Sequence, residues 1–562
     1  MATKLEIDLR GVKRRWVATS ALVPAALAAG ALAAPTDARA QATAPATREQ
    51  VLRLPDTPPR PLSDGPAPQC AVAPVRPAAG ALGDVLTAIE ANGPLAVSRN
   101  RLEAEWGPLI GTPADAAVRE RLNERLTCVW QEAGYPLARV RLEPMGGGRY
   151  RLAVEEGRVA RVEIQGGAEA ERDFVRRAFG GVGPDRTFDR NALHRGLALA
   201  QAYGVWGVEP VLHGDVLVLK VQPAKPWVFA SVQNLSGETV GRWSTGVTVG
   251  LHGITPLYEN TQIGVFHGLF DDRQRGVQLS SDALLTRGGL GAHLDVSWFQ
   301  EKPDETPPNL DVVGTTRLAR FELDHPVRST GESLARVKAG IEAVKQDTRL
   351  AAAGTPTLRD RLRVGYVGAD FEGRKGDTRW RVDLAVRQGL DGLGASRASD
   401  PLLSRPDADP QATVVRGSAR LIHQLGKAEL ELRARGQWSG DALLAFEEFT
   451  YGGFEGGRGL DPSAIQGDRG IAVAAEFRRQ GPNILGGTLQ GFGFLEAAKA
   501  WNEDAFGARE ASALFAGGGL RLSYPNRLNI EASYAVPIST ENVPDRLAGP
   551  RFLIVVTKGF GG

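Results

Sequence analysis

The sequence predicts a transmembrane antiparallel β-barrel of about 16 strands preceded by two small α/β domains, and three observations carry that reading. Two-residue alternation of apolar and polar side chains begins at Trp227 and persists to the end of the chain. The stretch from Cys70 to about Pro226 instead runs twice through a mixed helix and strand pattern. Beyond residue 40 no apolar run reaches the ~18 residues that a membrane helix needs. Composition agrees: 68 glycines and 35 prolines against two methionines make the chain richer in turns than a helical enzyme, and 42% hydrophobic with 23% charged residues is ample for several cores.

The N-terminus carries Lys4, Arg10, Lys13, Arg14 and Arg15, then an apolar run from Trp16 to Ala34, then Ala38-Arg39-Ala40. This fits a secretory signal over residues 1–40; a retained membrane anchor is the alternative, against which Pro24 and the small alanine-rich core weigh. Residues 1–40 hold six basic and three acidic side chains, so the mature chain's formal charge falls from +2 to about −1, and no nucleic-acid partner is expected. Residues 41–69 contain TREQVLRL, a short helix that could serve as a plug or a spacer, followed by the proline-rich linker LPDTPPRPLSDGPAP.

Residues 70–156 and 157–225 each read as a β-α-α-β-β unit of about 75 residues. In the first, DAAVRERLNERLTCVWQEAG sets Val118, Leu122, Leu126 and Val129 on one helical stripe, ends at Gly134 and leads into the strand YPLARVRLEP. The second starts at GRVARVEIQGG and closes with strands around VEPVLHGDVLVLKVQP. The only cysteines, Cys70 and Cys128, fall early in an exported chain, which suits one disulfide contributing about 4 kcal/mol in the chain-entropy model; two buried thiols are the other reading. The seven histidines are scattered singly, and there is no H-E-x-x-H, C-x-x-C, G-x-S-x-G or Walker motif. No metal, no cofactor and no catalytic residue is expected, so the protein is not read as an enzyme.

Residues 226–562 form the expected barrel. RWRVDLAVRQ places Trp380, Val382, Leu384 and Val386 on one face and Arg381, Asp383, Ala385 and Arg387 on the other. Such a strand wants hydrocarbon on one side and water on the other. AELELRARGQW repeats the pattern, and RFLIVVTKGF brings Phe560 close to the C-terminus. A soluble β-sandwich would also have an apolar inner face, but here the opposite face is charged strand after strand. Roughly 21 residues per strand and connection suit an outer-membrane barrel.

The run GYPLARVRL followed by LAVEEGRV, with Gly134, Tyr135, Arg139 and Gly157 as its fixed points, resembles the end of the first POTRA domain of two-partner secretion (TpsB) transporters. Cys70 and Cys128 also sit where many members of that family carry a cysteine pair. Between the eleventh and twelfth strands lies GGFEGGRGLDPSAIQGDRG, with seven glycines around Arg458. It lacks the G-K-[ST] of a phosphate-binding loop. In the POTRA-plus-barrel superfamily this place holds a re-entrant loop with a Val/Ile-Arg-Gly-Tyr/Phe tip, a G-D-x-G and a strand glutamate. The resemblance maps these to Gly457-Arg458-Gly459-Leu460, to Gly467, Asp468 and Gly470, and to Glu476, in a loop over residues 447–470. Both flanks of Arg-Gly depart from the pattern. The F-x-D-x-G of the thirteenth strand corresponds to Phe494-Leu495-Glu496-Ala497-Ala498, so Glu496 is the expected partner of Arg458. The plainer reading makes both of them ordinary lumen charges.

The resemblance implies an outer-membrane transporter whose POTRA domains recognise one secreted TpsA-like protein, of adhesin or haemolysin class, in the periplasm. The barrel would conduct it to the cell surface. Outer-membrane lipid and lipopolysaccharide would surround a monomeric barrel, inserted by the barrel-assembly machinery. An insertase of the same superfamily and a passive porin are the alternatives, and two modules count against the five-module insertase relative.

Overall fold

The computed structural model describes residues 72–76, 84–92, 97–203, 207–222, 224–304, 312–330, 332–350, 356–453, 456–503 and 510–561. The signal segment 1–40, the linker 41–69 and Cys70 lie outside the described residues.

The first module runs β1 (Ala88–Glu90), α1 (Arg99–Trp106), α2 (Ala116–Glu132), β2 (Arg139–Gly146) and β3 (Arg149–Glu155), with sheet order β1-β3-β2. Asp115 starts α2 by accepting the Val118 N–H at 2.7 Å, satisfying one of the donors a helix N-terminus leaves free. The expected stripe Val118, Leu122, Leu126 and Val129 is buried together with Trp130 against β2 and β3. Cys128, on this helix, is disulfide-bonded. The second module repeats the order: β4 (Arg161–Gln165), α3 (Glu169–Ala178), α4 (Arg190–Tyr203), β5 (Gly207–His213) and β6 (Val216–Gln222), with sheet order β4-β6-β5.

The glycines of the GY…G motif form the joint between the modules. Gly134 ends α2 with φ +110° and its carbonyl accepts the Arg190 N–H at 2.8 Å. Gly157 has φ +76°, a Cβ there would stand 2.4 Å from the Leu137 carbonyl oxygen, and its own carbonyl accepts the Phe188 N–H at 3.0 Å. Tyr135 packs on the first core, while Arg139 opens β2 on the exposed face.

The barrel strands are β7 (Trp227–Gln233), β8 (Ser244–His252), β9 (Asn260–Gly268), β10 (Gln274–Leu284), β11 (Gly291–Glu301), β12 (Val312–Ser329), β13 (Ser333–Leu350), β14 (Pro356–Lys375), β15 (Thr378–Gly389), β16 (Thr413–Leu425) and β17 (Ala428–Ser439). A short hairpin, β18 (Phe449–Tyr451) and β19 (Ile465–Gly467), interrupts the wall. It resumes with β20 (Arg469–Ile484), β21 (Gly487–Trp501), β22 (Glu510–Ser523), β23 (Leu528–Glu541) and β24 (Arg551–Gly561). Sixteen strands close on themselves, β24 pairing antiparallel with β7. Leu384, Val386, Leu432, Trp438, Ile471, Val473, Phe477, Leu495, Phe552 and Phe560 are exposed on the outer face, whereas Arg387, Glu431, Gln437, Glu476 and Glu496 are buried on the inner one. That is the lipid-out, polar-in division a membrane barrel requires.

Candidate functional site

The chain leaves the wall after Ser439 and rejoins it at Arg469, so the loop between the eleventh and twelfth barrel strands starts earlier than the expected residue 447. Residues 442–451 are buried, and Glu447 and Phe449 meet Arg387 and Arg435 on the inner faces of β15 and β17, which places the loop inside the lumen. Its glycines are there for close approach. A Cβ on Gly459 would stand 2.1 Å from the Phe515 ring, one on Gly470 2.1 Å from Phe449, and one on Gly467 2.6 Å from the Trp501 carbonyl oxygen. Gly457 has φ +74° and lies under the Tyr451 ring.

Arg458 reaches the wall at β20 and β21. Its Nη2 donates to Glu476 Oε2 at 2.6 Å, and its guanidinium stacks over Phe494 with 4.2 Å from Cζ to the ring centroid. Glu496 is fully buried and stands 3.7 Å from Nη1, while its Oε2 accepts the backbone N–H groups of Gly457 at 2.9 Å and Arg458 at 2.8 Å. The expected Arg458–Glu496 ion pair is present, and the site is shared: Glu476 takes the direct side-chain hydrogen bond while Glu496 also holds the loop backbone. The reason is geometric: the two backbone donors of the glycine-flanked turn reach Glu496 first, and a carboxylate accepting two N–H groups is held in place. Glu476 is further bound by Arg521 Nη1 at 2.7 Å, so the cluster alternates in sign. The Phe494 ring under the cation adds a cation–π contact to the cluster.

These residues lie within the segment 214–522 that matches the family model of haemolysin secretion/activation proteins ShlB/FhaC/HecB. The chain belongs to that family. It is a two-partner secretion transporter of the outer membrane, and the family implies a secreted TpsA-like partner. Solved structures similar to this transporter include CdiB from Escherichia coli, at 15% identity over 97% of this chain and 99% of that one with a TM-score of 0.72. CdiB from Acinetobacter baumannii matches at 14% identity over 97% of this chain and 100% of that one, with a TM-score of 0.65. Among curated protein sequences none matches.

Two further anchors of the transporter's loop have no signal in single-strand periodicity. Asp468, fully buried, accepts from Arg405 Nη1 at 2.6 Å, from the Leu443 N–H at 2.7 Å and from the Glu503 N–H at 2.7 Å. The aspartate of G-D-x-G therefore ties three connections at one end of the barrel together rather than serving Arg458. Further round the wall, on β15 and β13, Glu447 binds Arg387 Nε at 2.7 Å, and Arg387 Nη2 reaches Glu342 at 2.9 Å.

The second module seats on the other end of the barrel. The Tyr203 hydroxyl, from α4, donates to Asp324 of β12, which is also 2.9 Å from His293 Nε2. Arg195 Nη2 donates to the Gly288 carbonyl at 2.5 Å and Arg177 Nη2 to that of Leu257 at 2.6 Å, both in turns between barrel strands. Tyr258 donates to Glu171 of α3; burial and that carboxylate push its phenol well above the ordinary tyrosine range.

Proposed function

We propose that the transporter recognises one exported partner protein in the periplasm through its two α/β modules and conducts it, extended, through the barrel to the cell surface. The observation that carries this reading is the loop held inside the lumen by Arg458, Glu476 and Glu496. An anchored loop divides the lumen in a fixed way, and that suits a conduit for an extended chain. The modules act as POTRA domains on the periplasmic side, offering sheet edges and helix–strand grooves to the partner. No catalytic chemistry is assigned to the chain, and folding of the cargo outside supplies the direction of transport.

The test removes residues 70–223 and follows both export and barrel assembly. Loss of partner export with a barrel that still shifts on heating in gels supports the proposal. Continued export without the modules overturns it. Depletion of many outer-membrane barrels, rather than loss of one cargo, would instead assign the chain to assembly of other proteins.

A further inference from the structure

The outer end of the barrel seam is closed by something other than a strand ladder. β24 and β7 pair from Gly561 with Trp227 up to Val555 with Gln233. Beyond that point one backbone bond remains, from the Asn234 N–H to the Ile554 carbonyl at 3.2 Å, and the Asn234 side chain takes over, its amide donating to the Phe552 carbonyl at 2.9 Å and its oxygen accepting the Ile554 N–H at 2.7 Å. At the top, two arginines from opposite sides of the seam turn toward one carboxylate of the re-entrant loop. Asp461 Oδ1 lies 3.0 Å from Nη1 of Arg242, in the β7–β8 connection, and 3.1 Å from Nη1 of Arg551, the first residue of β24. Its Oδ2 accepts the Glu238 N–H at 3.0 Å.

The loop backbone is fixed at the same place. The Asp461 N–H donates to the Leu547 carbonyl at 2.9 Å, the Gly549 N–H to the Gly459 carbonyl at 3.2 Å, and Arg551 donates to the Leu460 carbonyl. Asp461 is buried, and so is Arg551. Without the carboxylate charge the two guanidiniums would face each other across the seam, and Arg551 would keep only carbonyl acceptors, a costly state for a buried cation.

We propose that Asp461 is a positioning residue that clasps the first and last barrel strands at their extracellular end, so that the re-entrant loop closes the seam as well as dividing the lumen. The role goes beyond partner recognition and operates with no cargo present.

The experiment compares Asp461→Asn with the wild-type full chain in planar lipid bilayers, with heat-modifiability reporting that the barrel has folded. The expected result is about a tenfold rise in the time spent in high-conductance states. Cysteines placed at Gln233 and Val555, directly opposed in the ladder, should return the oxidised Asp461→Asn protein to wild-type behaviour and release it on reduction. Asp461→Asn alone, carried through the same redox steps, controls for the disulfide at Cys128. A folded Asp461→Asn barrel as quiet as wild type overturns the proposal, and so does a noisy one that the cross-link leaves noisy, because the noise then comes from the lumen. If Asp461→Asn does not assemble, Arg242→Gln takes its place with the same expectations and the same refutation, its side chain being 35% exposed and easier to change.

Discussion

Replacing Arg458 by alanine isolates the tip anchor, because the rest of the loop keeps its own attachments at Glu447 and Asp468. The substitution removes the 2.6 Å charged hydrogen bond to Glu476, about 1.5–3 kcal/mol, and the cation over Phe494, about 1–2 kcal/mol at a largely desolvated site. It does not orphan Glu476, which retains Arg521 at 2.7 Å and Arg478 at 3.4 Å. Nor does it remove the two backbone N–H groups that Glu496 accepts. The loss is therefore about 3 kcal/mol, short of what an abandoned buried partner would cost. A docked tip weakened by that amount shifts its equilibrium roughly a hundredfold. Hydrogen exchange at the amides of Gly457 to Leu460 in the purified transporter reads this directly, while partner export and heat-modifiability read function and assembly. Export should fall with the barrel intact, and Arg458→Lys should recover part of it. Unchanged amide protection in Arg458→Ala would refute the reasoning, since the tip would then be held by something other than the cation.

Gly459→Ala places a methyl about where the Phe515 ring stands, 2.1 Å from an ideal Cβ; overpacking of about 1–3 kcal/mol should impair export much as Arg458→Ala does, although the cation is untouched. Asp468→Ala strands the buried Leu443 N–H, the partly buried Glu503 N–H and the contact of Arg405, and should cost about 3–5 kcal/mol, seen as faster proteolysis of the extracellular connections in intact cells. Tyr203→Phe removes one hydrogen bond to Asp324, about 1 kcal/mol, and should loosen the second module on the barrel in spin-label distance measurements without changing barrel assembly.

Much of this architecture was legible because its signals are local. The two-residue period of RWRVDLAVRQ already separated Leu384 and Val386 from Arg387, and lipid facing one side of a strand leaves no other arrangement. Likewise the stripe from Val118 to Val129, with Asp115 before it and Gly134 after, marked α2 to within two residues of its ends. The loop's place in the strand order and its Arg458 were also visible, since glycine density between two alternating runs admits a turn and little else. Periodicity further put Glu496 on one face with Phe494, and the resemblance supplied Glu476.

Which of them Arg458 meets was a matter of tertiary structure. In the β20–β21 register Ala474 faces Glu496 and Glu476 faces Phe494, so two carboxylates stand near one guanidinium, and only the path of the loop backbone gives Glu496 to the N–H groups and Glu476 to the cation. Asp461 carried no signal at all, because Arg242 and Arg551 are more than 300 residues apart and become neighbours only when β24 closes on β7. The sequence determined the sixteen strands and which way each faces, since side-chain alternation against lipid and water is written residue by residue. Closure of the barrel decided which charges meet, since that depends on the register of every strand between them.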